Sequence, residues 1–303
     1  MSLSSIEKYL QEHMAGKYLK NAKMSGYTSF KIGGPADLLA FPSTKEELAG
    51  LLECVRKEKE PLTIMGNGSN LLVRDKGIRG LVVKLGNGLK EMTWDGAVLK
   101  AGAGVSLAAV SQKAASLGLT GMEFAVGIPG SLGGAVFMNA GAYNGEMKNV
   151  VKTVMVLTAT GEFSTYCNSG LDFSYRHSIL QGTDNIVVEV ELSMQKGNPE
   201  TIKADMDDFT QRRITKQPID LPSAGSMFKR PTGYYAAALI DEAGLRGYRV
   251  GDAQVSEKHT GFVVNVGKAT AQDVLQLIKD VQKKVYIHCG VRLEPEVRVI
   301  GEE

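Results

Sequence analysis

Cysteine is scarce in this chain: three residues, Cys54, Cys167 and Cys289, odd in number and far apart. No C-x-x-C pair occurs, so neither a zinc site nor a disulfide framework is expected, and the pattern suits a reducing compartment. Neither sign of charge is in excess. Lys and Arg number 35 against 33 Asp and Glu, a net +2, which argues against a nucleic-acid partner, because such binders carry a strongly basic face. No run approaches the ~18 apolar residues of a membrane-spanning helix. Met1 to Leu19 is charged throughout and lacks an apolar h-region, so no signal peptide is expected. The four histidines carry no ligand spacing, and no metal site is expected. Internal repeats and low-complexity tracts are missing too. These absences lead to the expectation of a cytoplasmic protein with no membrane insertion and no implied protein partner.

What remains is the composition of an ordinary globular protein, 43% hydrophobic and 22% charged over 303 residues. That length suggests two or three domains of about 150 residues each. Its most distinctive stretch runs from Gly127 to Gly145, with glycine at 127, 130, 133, 134, 141 and 145 and a proline at 129. Glycine allows a backbone to approach a ligand with no Cβ in the way, and successive N–H groups in such a loop form an anion-binding concavity. The stretch therefore reads as a diphosphate cradle; a plain glycine-rich turn is the alternative. It is not a Rossmann turn, which needs G-x-G-x-x-G between strand and helix. Gly66-Asn-Gly68 and Gly102-Ala-Gly104 both lack the third glycine.

Patterning divides the chain into three stretches. In residues 1–79, Ser4 to Glu7 and Thr44 to Glu47 have the spacing of capping boxes. Leu48, Leu51, Leu52 and Val55 recur at helical spacing behind the second, and Pro61 to Met65 reads as a strand running into Gly66. Residues 80–197 are rich in strands: Leu81–Leu85, Ala97–Ala101, Val151–Leu157 and Ile186–Leu192. One helix there is capped by Ser106 and ended by Gly118. In residues 198–303, a helix spans Glu200 to Lys216 with Ile202, Met206, Phe209 and Ile214 inward. Another runs from Gly233 to Glu242. Thr270 to Asp273 caps a long helix with Val274, Leu277, Ile278, Val281 and Val285 in one stripe. Gly290 to Ile300 alternates apolar and charged residues, as a strand with its four charges on one face would.

Several motifs together resemble one family. Gly127-Ile-Pro-Gly-Ser-Leu-Gly-Gly-Ala135 and Asn139-Ala-Gly-Ala-Tyr143 look like the flavin loop of the UDP-N-acetylenolpyruvoylglucosamine reductases, of the vanillyl-alcohol-oxidase-like FAD superfamily. Phe30–Asp37, Gly66–Asn70, Ser174–Ser178, Pro222–Pro231 and Leu293–Arg298 match further motifs in the same order. The resemblance implies an α+β fold: a two-part FAD-binding domain, with a small α/β subdomain and a strand-rich one, then an α+β substrate-binding domain. It implies non-covalent FAD held by Gly66, Asn67, Gly68, Ser69, Asn70, Gly127, Ile128, Pro129, Gly130, Ser131, Gly133, Gly134, Ala135 and Asn139. NADPH would be the co-substrate and a UDP-sugar the substrate. The short stretch between Arg176 and Glu200 resembles the type II form, so no lid tyrosine is assigned. Asn144 stands where many relatives have glycine, and asparagine tolerates the left-handed conformation.

The same resemblance assigns chemistry to side chains whose neighbours leave their roles open. Ser226, in Ala224-Gly-Ser-Met227, reads by itself as a turn or cap serine; the resemblance makes it the proton donor to a substrate carbon. Arg176 reads as a surface arginine, or as a guanidinium that pairs bidentately with a carboxylate; the family's catalytic arginine lies in its motif. Glu296 and Arg298 occupy the active-site glutamate motif. Arg213, Lys216, Lys229 and Arg298 are candidate cations for the UDP-sugar, Lys216 first. Another FAD-dependent oxidase or dehydrogenase on the same fold is one alternative, and a non-enzymatic nucleotide-sugar binder another.

Overall fold

The structure, a computed structural model, describes residues 3–303. Met1 and Ser2, which open the stretch scanned for a signal peptide, lie outside the described residues. The architecture is α+β, and the chain forms two compact units that interleave in sequence. The first contains the chain up to Lys20, Leu38–Asn67 and Gly80–Arg212. The second contains Asn21–Asp37, Gly68–Arg79 and Arg213–Glu303. Each has its own apolar core. No described helix is long and apolar enough to cross a membrane.

In the first unit, helix α1 spans Leu3–His13 and α2 spans Lys45–Glu58. α1 already begins at Leu3, so Ser4 lies inside the helix and does not cap it. Thr44 caps α2 as its spacing predicts, but the return bond from Glu47 goes to Ser43 rather than to the Thr44 N–H of a capping box. Thr44 Oγ1 accepts from Glu47 N at 3.1 Å, and the Glu47 carboxylate accepts from Ser43 N at 2.7 Å. Leu48, Leu51, Leu52 and Val55 are all buried, as their spacing requires. The chain then enters the strand Leu62–Met65, which runs parallel to Ile78–Lys84 with Met65 opposite Lys84.

The rest of this unit is a five-stranded antiparallel sheet. Its order is Phe163–Cys167, Val151–Leu157, Ile186–Ser193, Val98–Gly102, Met92–Asp95. Val154, Val156, Val188, Val190, Leu192 and Leu99 are buried. Helix α3 (Leu107–Ser116) buries Leu107, Val110 and Ala114, although Ser106 makes no side-chain cap bond. A short helix, α4 (Leu132–Phe137), follows the glycine loop. Helix α5 (Pro199–Lys216) buries only Ile202 fully, and Ile214, expected inward, is 46% exposed. Apolar residues are too few along α5 to make a stripe. Phe209 instead stacks on Tyr143, ring centroids 4.3 Å apart.

The second unit is built on a four-stranded antiparallel sheet, Ser223–Ser226, Phe262–Asn265, Ala253–Val255 and Arg249–Val250 in that order. Helix α6 (Ala236–Glu242) starts three residues later than its pattern suggests. Helix α7 (Ala271–Cys289) buries the whole expected stripe of Val274, Leu277, Ile278, Val281 and Val285. It opens on a Thr270–Asp273 capping box and stops at Gly290, φ +69°. The alternating tail is not one long strand. Only Arg298–Ile300 is strand, parallel to Leu71–Val73. Pro295, which has no N–H to donate, forms an isolated bridge with Phe228.

Candidate active site

In the first unit, the glycine loops and the Arg176 turn are assembled by named contacts. Residues Gly127–Ser131 run across α3's entrance. Leu107 N donates to Gly130 O at 3.0 Å and Leu132 N to Val105 O at 2.8 Å. Gly133 N is spent on Ala103 O, and a Cβ at Gly133 would sit 2.8 Å from Ala103 Cβ. Gly133 is therefore glycine for packing. Gly134 differs: a Cβ there would meet only Ser131 Oγ, at 3.3 Å. Ser131 is itself buried and caps α4, accepting weakly from Gly134 N at 3.4 Å. Any Cβ on Gly66 would collide with the same Ser131 hydroxyl, so the Gly66 turn lies directly on the second loop.

Asn139 joins this loop to the Arg176 turn. It is wholly buried, with φ +43°. Its Nδ2 donates to Glu146 Oε2 at 2.9 Å and to Ser174 O at 3.0 Å, and its Oδ1 accepts from Lys148 N at 2.9 Å. The amide's two donors and its oxygen are thus engaged within the protein. The side chain of Asn139 thus ties together the segments on either side of it. Between Asn139 and Glu146, Gly141–Ala142 pairs with Gly145–Glu146 around Tyr143 and Asn144. Both turn residues have positive φ, +50° and +65°, a conformation that asparagine tolerates.

Arg176 sits in a tight turn in which Ser174 and His177 exchange backbone hydrogen bonds of 3.2 and 3.1 Å. Its own φ is +54°, a conformation that costs a non-glycine residue on the order of 1 kcal/mol or more. Surrounding bonds impose it. Gln181 Nε2 donates to Arg176 O at 2.9 Å, Ser178 Oγ donates to Phe137 O at 2.8 Å, and Arg176 Nη2 donates to Gly141 O at 3.1 Å. A half-buried guanidinium held this way presents a fixed planar fork.

In the second unit, Ser226 and Glu296 lie on adjoining segments. Ser226 ends its strand just past Gly225, φ +81°, where the register with Phe262–Asn265 shifts. The bulge leaves Ser226 exposed while Met227 turns into the core. Glu296 N donates to Met227 O at 2.9 Å and Lys229 N to Glu294 O at 2.8 Å. Asn70 braces the same segment: its Nδ2 donates to Glu296 O at 3.2 Å, and its carbonyl accepts from Arg298 N at 3.0 Å. Asn70 thus sets the glutamate's backbone. Gly68 turns through φ +69°, and Ser69 is half-buried.

The candidate cations divide. Lys229 is paired with Glu294 at 2.5 Å. Lys216 is exposed at the end of α5, Arg213 is half-buried on the same helix, and Arg298 is exposed. His259, with no motif around it, proves to be half-buried. Burial, with Arg246 and Lys216 nearby, pushes its pKa below the ordinary imidazole value. Its Nδ1 accepts from Gly261 N at 3.1 Å, and Gly261 O in turn accepts from Met227 N, next to Ser226. Among the described residues no group of three or more His, Cys, Asp or Glu could hold a metal ion.

Comparison with known proteins supplies the family. Residues 36–166 match the FAD binding domain, and residues 217–300 match the UDP-N-acetylenolpyruvoylglucosamine reductase, C-terminal domain. The UDP-N-acetylenolpyruvoylglucosamine reductase of Caldanaerobacter subterraneus subsp. tengcongensis is 51% identical over 298 residues, 98% of each chain. The chain belongs to the UDP-N-acetylenolpyruvoylglucosamine reductase family. The reductase of Lactiplantibacillus plantarum is 50% identical over 94% of each chain. Among solved structures, the UDP-N-acetylenolpyruvylglucosamine reductase from Thermus caldophilus superposes with a TM-score of 0.80 at 39% identity. That match covers 92% of this chain and 98% of the other. An alkyldihydroxyacetonephosphate synthase, 15% identical with a TM-score of 0.51 over 65% of this chain and 41% of its own, shares the fold alone.

The loops of this reductase-family chain suit an FAD. The N–H groups of Gly127, Gly130 and Ser131 have no acceptor among the described residues, and Gly134 is exposed with no backbone within 4 Å of its Cβ direction. A diphosphate can approach there, and backbone donors are available to receive it.

Proposed function

We propose that this protein reduces UDP-N-acetylglucosamine enolpyruvate to UDP-N-acetylmuramate in peptidoglycan precursor synthesis, with NADPH as reductant and non-covalent FAD as carrier. The observation that carries the reading is 51% identity to a reductase of that name across 98% of both chains. FAD supplies, when bound, the hydride chemistry that no side chain has. Gly127, Ile128, Pro129, Gly130, Ser131, Gly134 and Ala135, with Gly66, Asn67, Gly68 and Ser69, would hold it. Gly133, Asn139 and Asn70 keep those loops in place.

Each catalytic side chain then has a distinct task. Hydride addition to the terminal carbon of the enolpyruvyl group leaves negative charge on the carbon bearing the ether oxygen, shared with the adjacent carboxylate. The guanidinium of Arg176 pairs with that carboxylate as charge builds, through preorganised donors of the kind that often contribute most to catalysis. Glu296, in its protonated form, donates a hydrogen bond to the same developing charge. Ser226, exposed at the bulge, donates its hydroxyl proton to the carbon; serine is a weak acid, but a carbanion is a strong base. Lys216 is assigned to the UDP diphosphate, with Arg213 and Arg298; Lys229 can join only by leaving Glu294. A reaction that consumes NADPH and a nucleotide sugar suits the cytoplasm.

The direct test is the visible spectrum of the purified protein. It should show an oxidised flavin that NADPH bleaches and the enolpyruvyl sugar restores. Acid precipitation should leave the yellow colour in the supernatant, because no cysteine or histidine lies in either glycine loop. A colourless protein that also fails to take up added FAD would sink the reading.

A further inference from the structure

Lys84 is the only charged side chain among the buried described residues, 7% exposed. It ends the strand Ile78–Lys84, opposite Met65, and its Nζ donates to Gly66 O at 2.8 Å. No carboxylate lies within ion-pair distance of it among the described residues. The charged group that does act on it is another cation, Lys90. Burial first, and Lys90 second, bring its pKa down to about 8. A buried ammonium without a counter-charge is costly, and such groups are normally paired. Apolar packing does not require one here: Val82 and Val83 precede it on the same strand.

Its location explains the missing partner. The carbonyl it grips belongs to Gly66, the glycine that rests on Ser131 of the second loop. Lys84 therefore stands where the two glycine loops meet, in a cradle whose other donors are neutral backbone N–H groups. We propose that Lys84 is the counter-ion of the FAD diphosphate, supplying positive charge to the cradle from beneath the Gly66 turn. This rests on the FAD reading above. It also accounts for a lysine in a strand otherwise apolar at this end: the charge is compensated only once the cofactor is in place.

The test compares wild type with Lys84→Met, which keeps most of the packing volume, and with Lys84→Arg, which keeps the charge. Flavin is stripped from the full-length protein, and FAD and riboflavin are titrated back by flavin fluorescence. A charge-assisted contact is worth ~1.5–3 kcal/mol, so Lys84→Met should bind FAD about ten- to a hundredfold more weakly, with riboflavin binding unchanged. Lys84→Arg should recover part of the loss. Thermal melting gives a second readout of opposite sign. Without flavin, Lys84→Met should melt higher than wild type, because an uncompensated buried charge has gone; with saturating FAD that advantage should disappear. Equal weakening of FAD and riboflavin would overturn the proposal, since Lys84 would then shape the loop or face the ring system. So would unchanged FAD binding in Lys84→Met. A wild-type protein that binds no flavin at all would instead defeat the functional reading itself.

Discussion

At the scale of single residues, Ser226 and Asn139 show how differently two named positions act. Ser226 is exposed and placed by a bulge. Its proposed proton is needed only when the enolpyruvyl sugar is reduced, not when NADPH reduces the flavin. Ser226→Ala should leave the first half-reaction nearly normal and slow the second by ~10²–10⁴-fold, the usual worth of a positioned acid. Stopped-flow absorbance of each half separately decides it; equal slowing of both would show that Ser226 shapes the cleft. Asn139 is buried, and all three of its side-chain hydrogen bonds are internal. Asn139→Asp keeps the shape but turns both donors into acceptors facing Glu146 and Ser174 O. Several degrees should be lost from the melting temperature, since each orphaned buried group costs ~1–3 kcal/mol. FAD affinity and turnover should fall together, because the flavin loop and the Arg176 turn share this one amide. A fall in one without the other would show that the two segments are independent. Asn139 was legible as part of a motif, but its inward orientation was not, since a glycine-rich string gives no sign of which polar side chain faces its own backbone. Lys84 carried no sign at all: Leu81-Val-Val-Lys-Leu85 reads as an apolar strand ending beside an ordinary surface lysine, and its isolation from acids depends on residues far away in sequence.

Elements were legible in proportion to their periodicity. α2 and α7 were plain, because each combines a cap with an unbroken apolar stripe. α5 was placed correctly and oriented poorly, for it has only a few apolar residues to orient it. The tail failed as a single strand because Pro295 interrupts its donors, although Leu293 and Val297 are buried in alternation as expected. α7 has one feature that no local pattern reveals. Both carboxylate oxygens of Asp75 accept from its first turn, from Ala271 N at 2.8 Å and Gln272 N at 3.0 Å. Thr270 Oγ1 takes only Asp273 N, at 3.1 Å. Asp75→Ala frees two backbone donors and Thr270→Ala frees one. A lost cap costs ~1 kcal/mol, so Asp75→Ala should be the more destabilising in urea unfolding, by about another 1 kcal/mol. Equal losses would mean that Asp75 contributes little to the helix terminus.

At the scale of the whole molecule, the two units are not consecutive along the chain, and no composition shift marks their borders. Their membership follows from long-range pairing. Phe30, Ile32 and Leu72 belong to the core of the second unit, with Val263, Val274 and Leu277. A fragment ending at residue 212 should therefore keep the first core and leave those three side chains without partners. Expressed alone it should be poorly soluble or bind a hydrophobic dye, whereas the same fragment with Phe30, Ile32 and Leu72 changed to polar residues should improve. A well-behaved unmodified fragment would refute this.

The interleaving also sets a timetable for synthesis. Asn21–Asp37 leaves the ribosome early, yet the residues that bury Phe30 and Ile32 come from the last third of the chain. At roughly 5–20 residues per second, that early segment waits on the order of ten seconds or longer before its core exists. During that interval it is an apolar segment without a partner, a substrate for a holding chaperone. Slowing translation of the last third should prolong that exposure more than slowing the first.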